Sequence, residues 1–392
     1  MNKPLVSVII ASYNHEKYII DAINSVLNQT YNNIELIVED DYSTDCSRKL
    51  LKKIEDKRVK IILSKVNKGT VKTYNHLLKM CHGKYIAILG SDDIWYPEKL
   101  DIQMKYLLNN DVGAVFSLAD IIDENGNKYL NDEIYNSSIF NSSNLKQSDW
   151  LRLFYESGNH LCHPSSIIKK DVLREIGYFN CAYRQLHDFE FWIRLINKYN
   201  IKVINKKLLG YRRFKNENSN LSGGSLQNQL RHINEYYYIM LSLFNNISDK
   251  LFIDGFKKYL INKQITTKEQ IICEKYFILL GNKSFDTNNK KLALDFMFKY
   301  INNEKVLKCL KDEYKYNLND FYRETSSFIE LYPTPFTVEL NKEVKNIVKS
   351  RDNYKKLYED NQKELNDIYN SKSWRLMEKL RKILVVIRNG KN

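Results

Sequence analysis

Two groups of acidic residues stand directly after short apolar segments. Glu39, Asp40 and Asp41 follow the segment at 35–38, and Asp92 and Asp93 follow Tyr85–Leu89. If those segments are neighbouring strands, both groups face one crevice. Close carboxylates repel unless a cation lies between them, and Mg or Mn held by one or two carboxylates plus substrate phosphates is the common solution. Asp and Glu also favour turns for local reasons, so one such pair would carry little weight. Two pairs after consecutive buried strands point to a divalent-metal site for a phosphate-bearing substrate.

Such a site needs a sheet behind it. Val6–Ile10 is a continuous β-branched run, and Ile19, Ile23, Val26 and Leu27 then recur at helical spacing. The alternation continues with a strand at 35–38, a helix face of Leu50, Leu51 and Ile54, and a strand of Val59, Ile61 and Leu63. Val71, Tyr74, Leu77 and Leu78 predict a helix, Tyr85–Leu89 a buried strand, Pro97 the start of a helix reaching Leu108, and Val112–Ser117 one more strand. Strands alternating with helices imply an α/β fold, a mostly parallel sheet covered on both faces. In such sheets ligands bind beyond the carboxyl ends of the strands.

From Leu226 the texture changes. Leu230, Ile233, Tyr237 and Met240 keep helical spacing, further helices are predicted near 253–264, 267–281 and 290–300, and Pro333 and Pro335 then break the pattern. The expected organisation is an α/β domain over 1–225, an α-helical domain over 226–332, and a tail over 333–392. Within the tail, Val344, Ile347, Arg351, Tyr354, Tyr358, Asn361, Leu365 and Ile368 fall on heptad a and d positions. They fit a short coiled coil that would make a homo-oligomer, or equally one amphipathic helix packed on its own chain. Trp374–Arg388 is basic and apolar together, as expected of a helix docking on an anionic membrane surface.

The chain has 392 residues, with 61 Lys and Arg against 47 Asp and Glu, a net charge of +14. That balance suits nucleotide phosphates, an anionic bilayer or nucleic acid, and no RNA-recognition, zinc-finger or helix-turn-helix signal supports the last of these. The six cysteines are scattered without a C-x-x-C pair, which fits a reducing compartment. Leu5–Ala11 is too short for a signal-peptide core or a spanning helix. A cytoplasmic protein, peripheral on the inner face of the membrane, is expected.

Five segments in order carry a resemblance: Val6–Asn14, Ser25–Tyr31, Glu35–Asp45, Asn67–Gly69 with Asn75, and Gly83–Asp93. Together they resemble the nucleotide-binding half of bacterial family 2 glycosyltransferases. The resemblance implies a GT-A fold, Rossmann-like, and a nucleotide-sugar donor, with UDP the expected nucleotide. Ala11 and Tyr13 would lie against the base, and Asp41, with Asp40 beside it, would hydrogen-bond the uracil. Asp92 and Asp93 match the family's DXD region, one touching the ribose and one binding Mn or Mg. Many relatives carry another Asp at the position of Gly90, so the metal ligand lies between Asp92 and Asp93.

His187–Arg194 resembles the family's acidic segment, whose Asp is the general base toward the acceptor hydroxyl. Asp188 takes that role, with Glu190 as the rival carboxylate. A sugar hydroxyl is a poor nucleophile until a carboxylate within hydrogen-bond reach accepts its proton. His187 replaces a more usual Glu and would alter contacts to the acceptor. Trp192 belongs to the helix's packing face and is at most a wall of the acceptor pocket. His163 is either an acceptor contact or a loop histidine before a turn proline. Tyr211–Arg213, followed by 216–224, resembles a mobile loop over the donor, in which Arg212 or Arg213 would pair with the diphosphate. Ser371–Leu376 resembles a tail of bacterial enzymes that build envelope polysaccharides such as capsule or lipopolysaccharide, and the acceptor-side loops would run over Ile122–Cys162. The expected reaction is an inverting transfer to a saccharide or lipid-linked saccharide acceptor. A non-catalytic scaffold with a decayed site, suggested by Gly90 and His187, and a nucleotidyltransferase are the alternatives. The latter lacks its Gly-rich phosphate loop after the first strand.

Overall fold

The computed structural model describes residues 3–109, 111–129, 140, 142–214, 225–281, 289–326 and scattered positions between 350 and 377. Its strands are β1 Val6–Ser12, β2 Ile34–Asp40, β3 Val59–Leu63, β4 Tyr85–Gly90, β5 Ile94–Trp95, β6 Ala114–Ile122, β7 Ile167–Lys169 and β8 Ile201–Arg212. Among them run α1 Ile19–Leu27, α2 Ser47–Leu51, α3 Thr70–Met80, α4 Lys99–Asn109, α5 Gln147–Ser157, α6 Lys170–Ile176 and α7 His187–Lys198. Helices α8 Leu226–Ser242, α9 Asp249–Phe256, α10 Lys268–Gly281, α11 Asn289–Met297, α12 Glu304–Tyr314 and α13 Leu318–Ser326 follow.

All eight strands form one mixed sheet in the order β3-β2-β1-β4-β7-β6-β8-β5. The first four are mutually parallel, β7 runs antiparallel between β4 and β6, β6 and β8 are parallel, and β5 is antiparallel at the edge. Val6, Val8, Ile9 and Ile10 of β1 are fully buried, as a β-branched run covered on both faces must be. Helix α1 closes one face with Ile19, Ala22, Ile23 and Val26. The chain leaves β1 for β2 and β3 on one side and returns to β4 on the other. This makes a topological switch point between β1 and β4, where open α/β sheets form their ligand crevice.

The helices after residue 226 do not stand apart from the sheet. Met1–Thr325 is one compact unit and Ser326–Asn392 a second. The join is visible at α5, whose Tyr155 ring packs edge-on against Phe256 and Tyr259, while its hydroxyl donates to Ile278 O at 2.6 Å. Gly255 lets α9 come close there, because a Cβ at that position would sit 2.9 Å from Ser148 O. Among the described residues no helix is long and apolar enough to cross a membrane. The heptad positions Val344, Ile347, Arg351, Leu365 and Ile368, the loop 216–224 and most of the basic stretch 374–388 lie outside the described residues.

Candidate active site

Strand register brings the expected donor residues together. Ala11 pairs with Glu39 on one side and Gly90 on the other, so β1, β2 and β4 end at one level. Beyond those ends lies a cleft of about 550 Å³. Ala11, Tyr13, Asp41, Asp92 and Asp93 line it from this side, and His163, His187, Asp188, Arg212 and Arg213 from the other. Tyr13 is 46% exposed at the cleft. Asp41 lies at the mouth with its carboxylate accepting the backbone N–H groups of Lys68 at 2.8 Å and Gly69 at 2.7 Å. It therefore fixes the turn that starts α3.

Asp93 is 3% exposed, and burial, together with repulsion from Asp92, raises its pKa well above the ordinary value. Its Oδ1 accepts the Arg212 backbone N–H at 2.8 Å. The two carboxylates converge over Gly90, where an added Cβ would come 2.4 Å from Asp93 Oδ2 and 3.2 Å from Asp92 Oδ1. A side chain at position 90 and this placement of Asp93 exclude one another. A convergent carboxylate pair is a site that a cation stabilises. Among the described residues no group of three or more His, Cys, Asp or Glu is arranged to hold a metal. Two carboxylates fit an ion that completes its shell with water and substrate phosphates.

Arg212, also at the cleft, is held by main-chain carbonyls. It is 4% exposed, its Nε donates to Asp92 O at 2.6 Å, and its Nη1 donates to Asp123 O and Glu124 O at 2.6 and 2.9 Å. It thus ties the end of β8 to the Asp92–Asp93 turn. Arg213 lies over the Tyr211 ring at the cleft, which Arg184 also lines.

On the opposite wall, Asp188 opens α7. Its Oδ2 accepts from Asn159 Nδ2 at 3.0 Å and its Oδ1 from the Phe189 N–H at 2.8 Å. Burial raises its pKa, outweighing the lowering by His187 and by these hydrogen bonds. A raised carboxylate is a stronger base at neutral pH. His163, partly buried, and His187, buried, have ring centroids 5.5 Å apart, both against Tyr74, and each keeps an Nε2 without a hydrogen-bond partner. Burial, and then His187, depress the His163 pKa well below the usual histidine value, so that ring is neutral.

Three expected site residues are not brought to the cleft. Asp40 is fully buried, its Oδ1 accepting from Ser43 N at 2.9 Å and Arg48 Nη1 at 3.0 Å, so it locks the turn after β2. Glu190 forms a bidentate pair with Arg194 at 2.7 and 2.9 Å along its own helix. Trp192 is fully buried edge-on against Phe116, behind His163, and walls no pocket. Two contributors carry no sequence signal: Asn159, on the Asp188 carboxylate, and Glu235. Glu235 on α8 accepts the backbone N–H groups of Arg184, Gln185 and Leu186 at 2.8, 2.9 and 2.8 Å, fixing the segment that leads into Asp188. Nothing in the spacing of charges could show this, because its partners are peptide groups.

A parallel-stranded switch point with carboxylates at the strand ends, followed by a mixed-sheet half, defines a sugar-nucleotide-type transferase fold of the GT-A class. A family model described as Glycosyl transferase family 2 matches residues 7–177. An uncharacterised glycosyltransferase of Methanocaldococcus jannaschii is 37% identical over 219 residues, 54% of this chain and 72% of that protein. The Escherichia coli protein WfgD, named a UDP-Glc:alpha-D-GlcNAc-diphosphoundecaprenol beta-1,3-glucosyltransferase, is 32% identical over 205 residues, 52% of this chain and 75% of its own. The fold is also that of Staphylococcus aureus TarS 1–349, crystallised with UDP-GlcNAc. The TM-score is 0.50 at 18% identity, over 79% of this chain and 91% of that one. The chain belongs to glycosyltransferase family 2, and it is a glycosyltransferase.

Proposed function

We propose that this glycosyltransferase moves a sugar, with inversion, from a UDP-sugar to a saccharide or lipid-linked saccharide acceptor in cell-surface polymer synthesis. The observation that carries the reading is that one cleft holds both the Asp92–Asp93 pair and the carboxylate of Asp188. The names of WfgD and of the Bacillus subtilis relative TuaG, a putative teichuronic acid biosynthesis glycosyltransferase, and the UDP-GlcNAc held by TarS support the donor and the setting.

Asp93, with Asp92, would hold a Mn or Mg ion, which when bound offsets negative charge on the leaving diphosphate. Tyr13 and Ala11 would receive the base, and Arg213 would meet the diphosphate oxygens. Asp188, held by Asn159 and by the first turn of α7, would accept the proton of the acceptor hydroxyl as its oxygen attacks the anomeric carbon. His163 and His187 line the same cleft, and either imidazole would orient that hydroxyl. The basic stretch 374–388 would hold the enzyme against an anionic membrane face.

The test is nucleoside diphosphate release from UDP-, GDP- and dTDP-sugars in Mn, Mg or EDTA, beside Asp188→Asn. Release from a UDP-sugar that needs metal and disappears in the variant is expected. NMR of the product showing retained anomeric configuration would defeat the single displacement.

A further inference from the structure

A second cavity, larger than the reaction cleft at about 930 Å³, lies between α8 and residues 182–184. Gln227, Leu230, Arg231, Asn234, Tyr238 and Leu241 line it, spaced in steps of three and four along one face of α8. Arg184 lines this groove and the cleft alike, so the two lie on either side of one residue. Glu235 sets the shared wall through its three bonds to the backbone of 184–186.

The chemistry of the groove narrows its occupant. Arg184, Arg231 and Lys299 line it, and its single acidic residue, Glu235, already accepts three backbone N–H groups. Leu230 and Tyr238, 52% and 60% exposed, leave apolar surface on α8 at the groove. Three of the thirteen lining residues, Ala182, Leu230 and Leu241, are aliphatic and two, Tyr183 and Tyr238, are aromatic, the rest carrying charges, amides or a hydroxyl. Tyrosine faces for sugar rings, side-chain amides for hydroxyls and guanidinium for carboxylate or phosphate are what an acidic saccharide asks of a protein.

We propose that this groove binds the acceptor as an acidic saccharide, its end crossing Arg184 to reach Asp188. The acceptor role rests on the transferase reading above; the binding itself is tested apart from it. Full-length protein is titrated calorimetrically with hexagalacturonate and, as the neutral counterpart of equal length, maltohexaose. Arg231→Glu/Lys299→Glu and Tyr238→Ala are compared with Lys57→Glu/Lys60→Glu, which makes the same charge change at the opposite, β3 edge of the sheet. Hexagalacturonate binds more tightly than maltohexaose, and the groove charge reversal weakens it about tenfold or more, the scale of one lost charge-assisted hydrogen bond. Tyr238→Ala weakens both sugars, and the β3-edge control binds as the unaltered chain does. Equal loss in the control, equal affinity for maltohexaose, or no binding of hexagalacturonate overturns the proposal. Binding of UDP with Mn is measured on the same samples: its absence in the unaltered chain defeats the transferase reading, and its persistence in the groove variants separates the two sites.

Discussion

The two walls of the cleft are held by different means. On the donor wall, Ala11, Asp41 and Asp92–Asp93 sit at the ends of parallel strands whose register is set by main-chain hydrogen bonds and by fully buried aliphatic runs. On the acceptor wall, Asp188 stands at a helix start secured by two side chains from elsewhere, Asn159 on Oδ2 and Glu235 beneath residues 184–186. A wall built on a sheet tolerates the loss of one side chain. A wall built on side-chain tethers transmits each loss to its functional group.

That contrast can be broken by substitution. Asp188→Asn is expected to lower transfer by about 10²–10⁴-fold, the range of a positioned general base, while calorimetric UDP binding stays within error. Equal losses of binding and turnover would mean the walls are not separable. Gly90→Ala is the donor-side counterpart: its Cβ displaces the Asp93 carboxylate, and metal-dependent nucleotide binding should weaken by about tenfold or more, read with Mn against EDTA. Preserved binding would show that the carboxylate pair is not where the ion sits.

Glu235→Gln should cost about 1–3 kcal/mol of stability, because an amide cannot replace a carboxylate bonded to three N–H groups. Turnover should fall with little change in UDP affinity, and the loss should vanish when the change is made on an Asp188→Asn background. Additive losses there would give Glu235 a purely structural part. Because burial raises the Asp188 pKa, the acid limb of the rate–pH profile should lie above that of an ordinary aspartate and disappear with Asp188→Asn.

The smallest effect is expected behind the walls, at a residue that does not line the cleft. Lys99 is fully buried over the Trp95 ring at 3.9 Å, its Nζ without a hydrogen-bond partner, and burial holds its pKa well below the lysine value. Folding below the unfolded lysine pKa must therefore release a proton, so stability should fall as pH is lowered from about 10 toward the folded value. Lys99→Met should remove that slope and raise stability at neutral pH by on the order of 1 kcal/mol. Chemical denaturation at several pH values reads both.

The donor half was legible because its signals are continuous. Val6–Ile10 and Tyr85–Leu89 are uninterrupted apolar runs, and the residues just past them had to lie at strand ends. Strand β8 gave no such signal: Asn205, Lys206 and Lys207 interrupt it with exposed side chains, and its pairing with β6 shifts register at Ser117/Leu118. Strands β5 and β7, two and three residues long, are below what periodicity can show. For Glu190 a signal existed and outweighed its nearness to Asp188: Arg194 stands four residues on, the spacing of a helical ion pair. Asn159 and Glu235 were beyond reach, since each acts on a partner 29 or about 50 residues away with no pattern linking them.

The join at Tyr155 also sets a timetable for synthesis. That ring packs against Phe256 and Tyr259, and its hydroxyl waits for Ile278, 123 residues further along the chain. At roughly 5–20 residues per second, α5 emerges from the ribosome roughly 6–25 s before its last partner, with an aromatic face uncovered throughout. The sheet layer is therefore dependent, during every round of translation, on helices that have not yet been made.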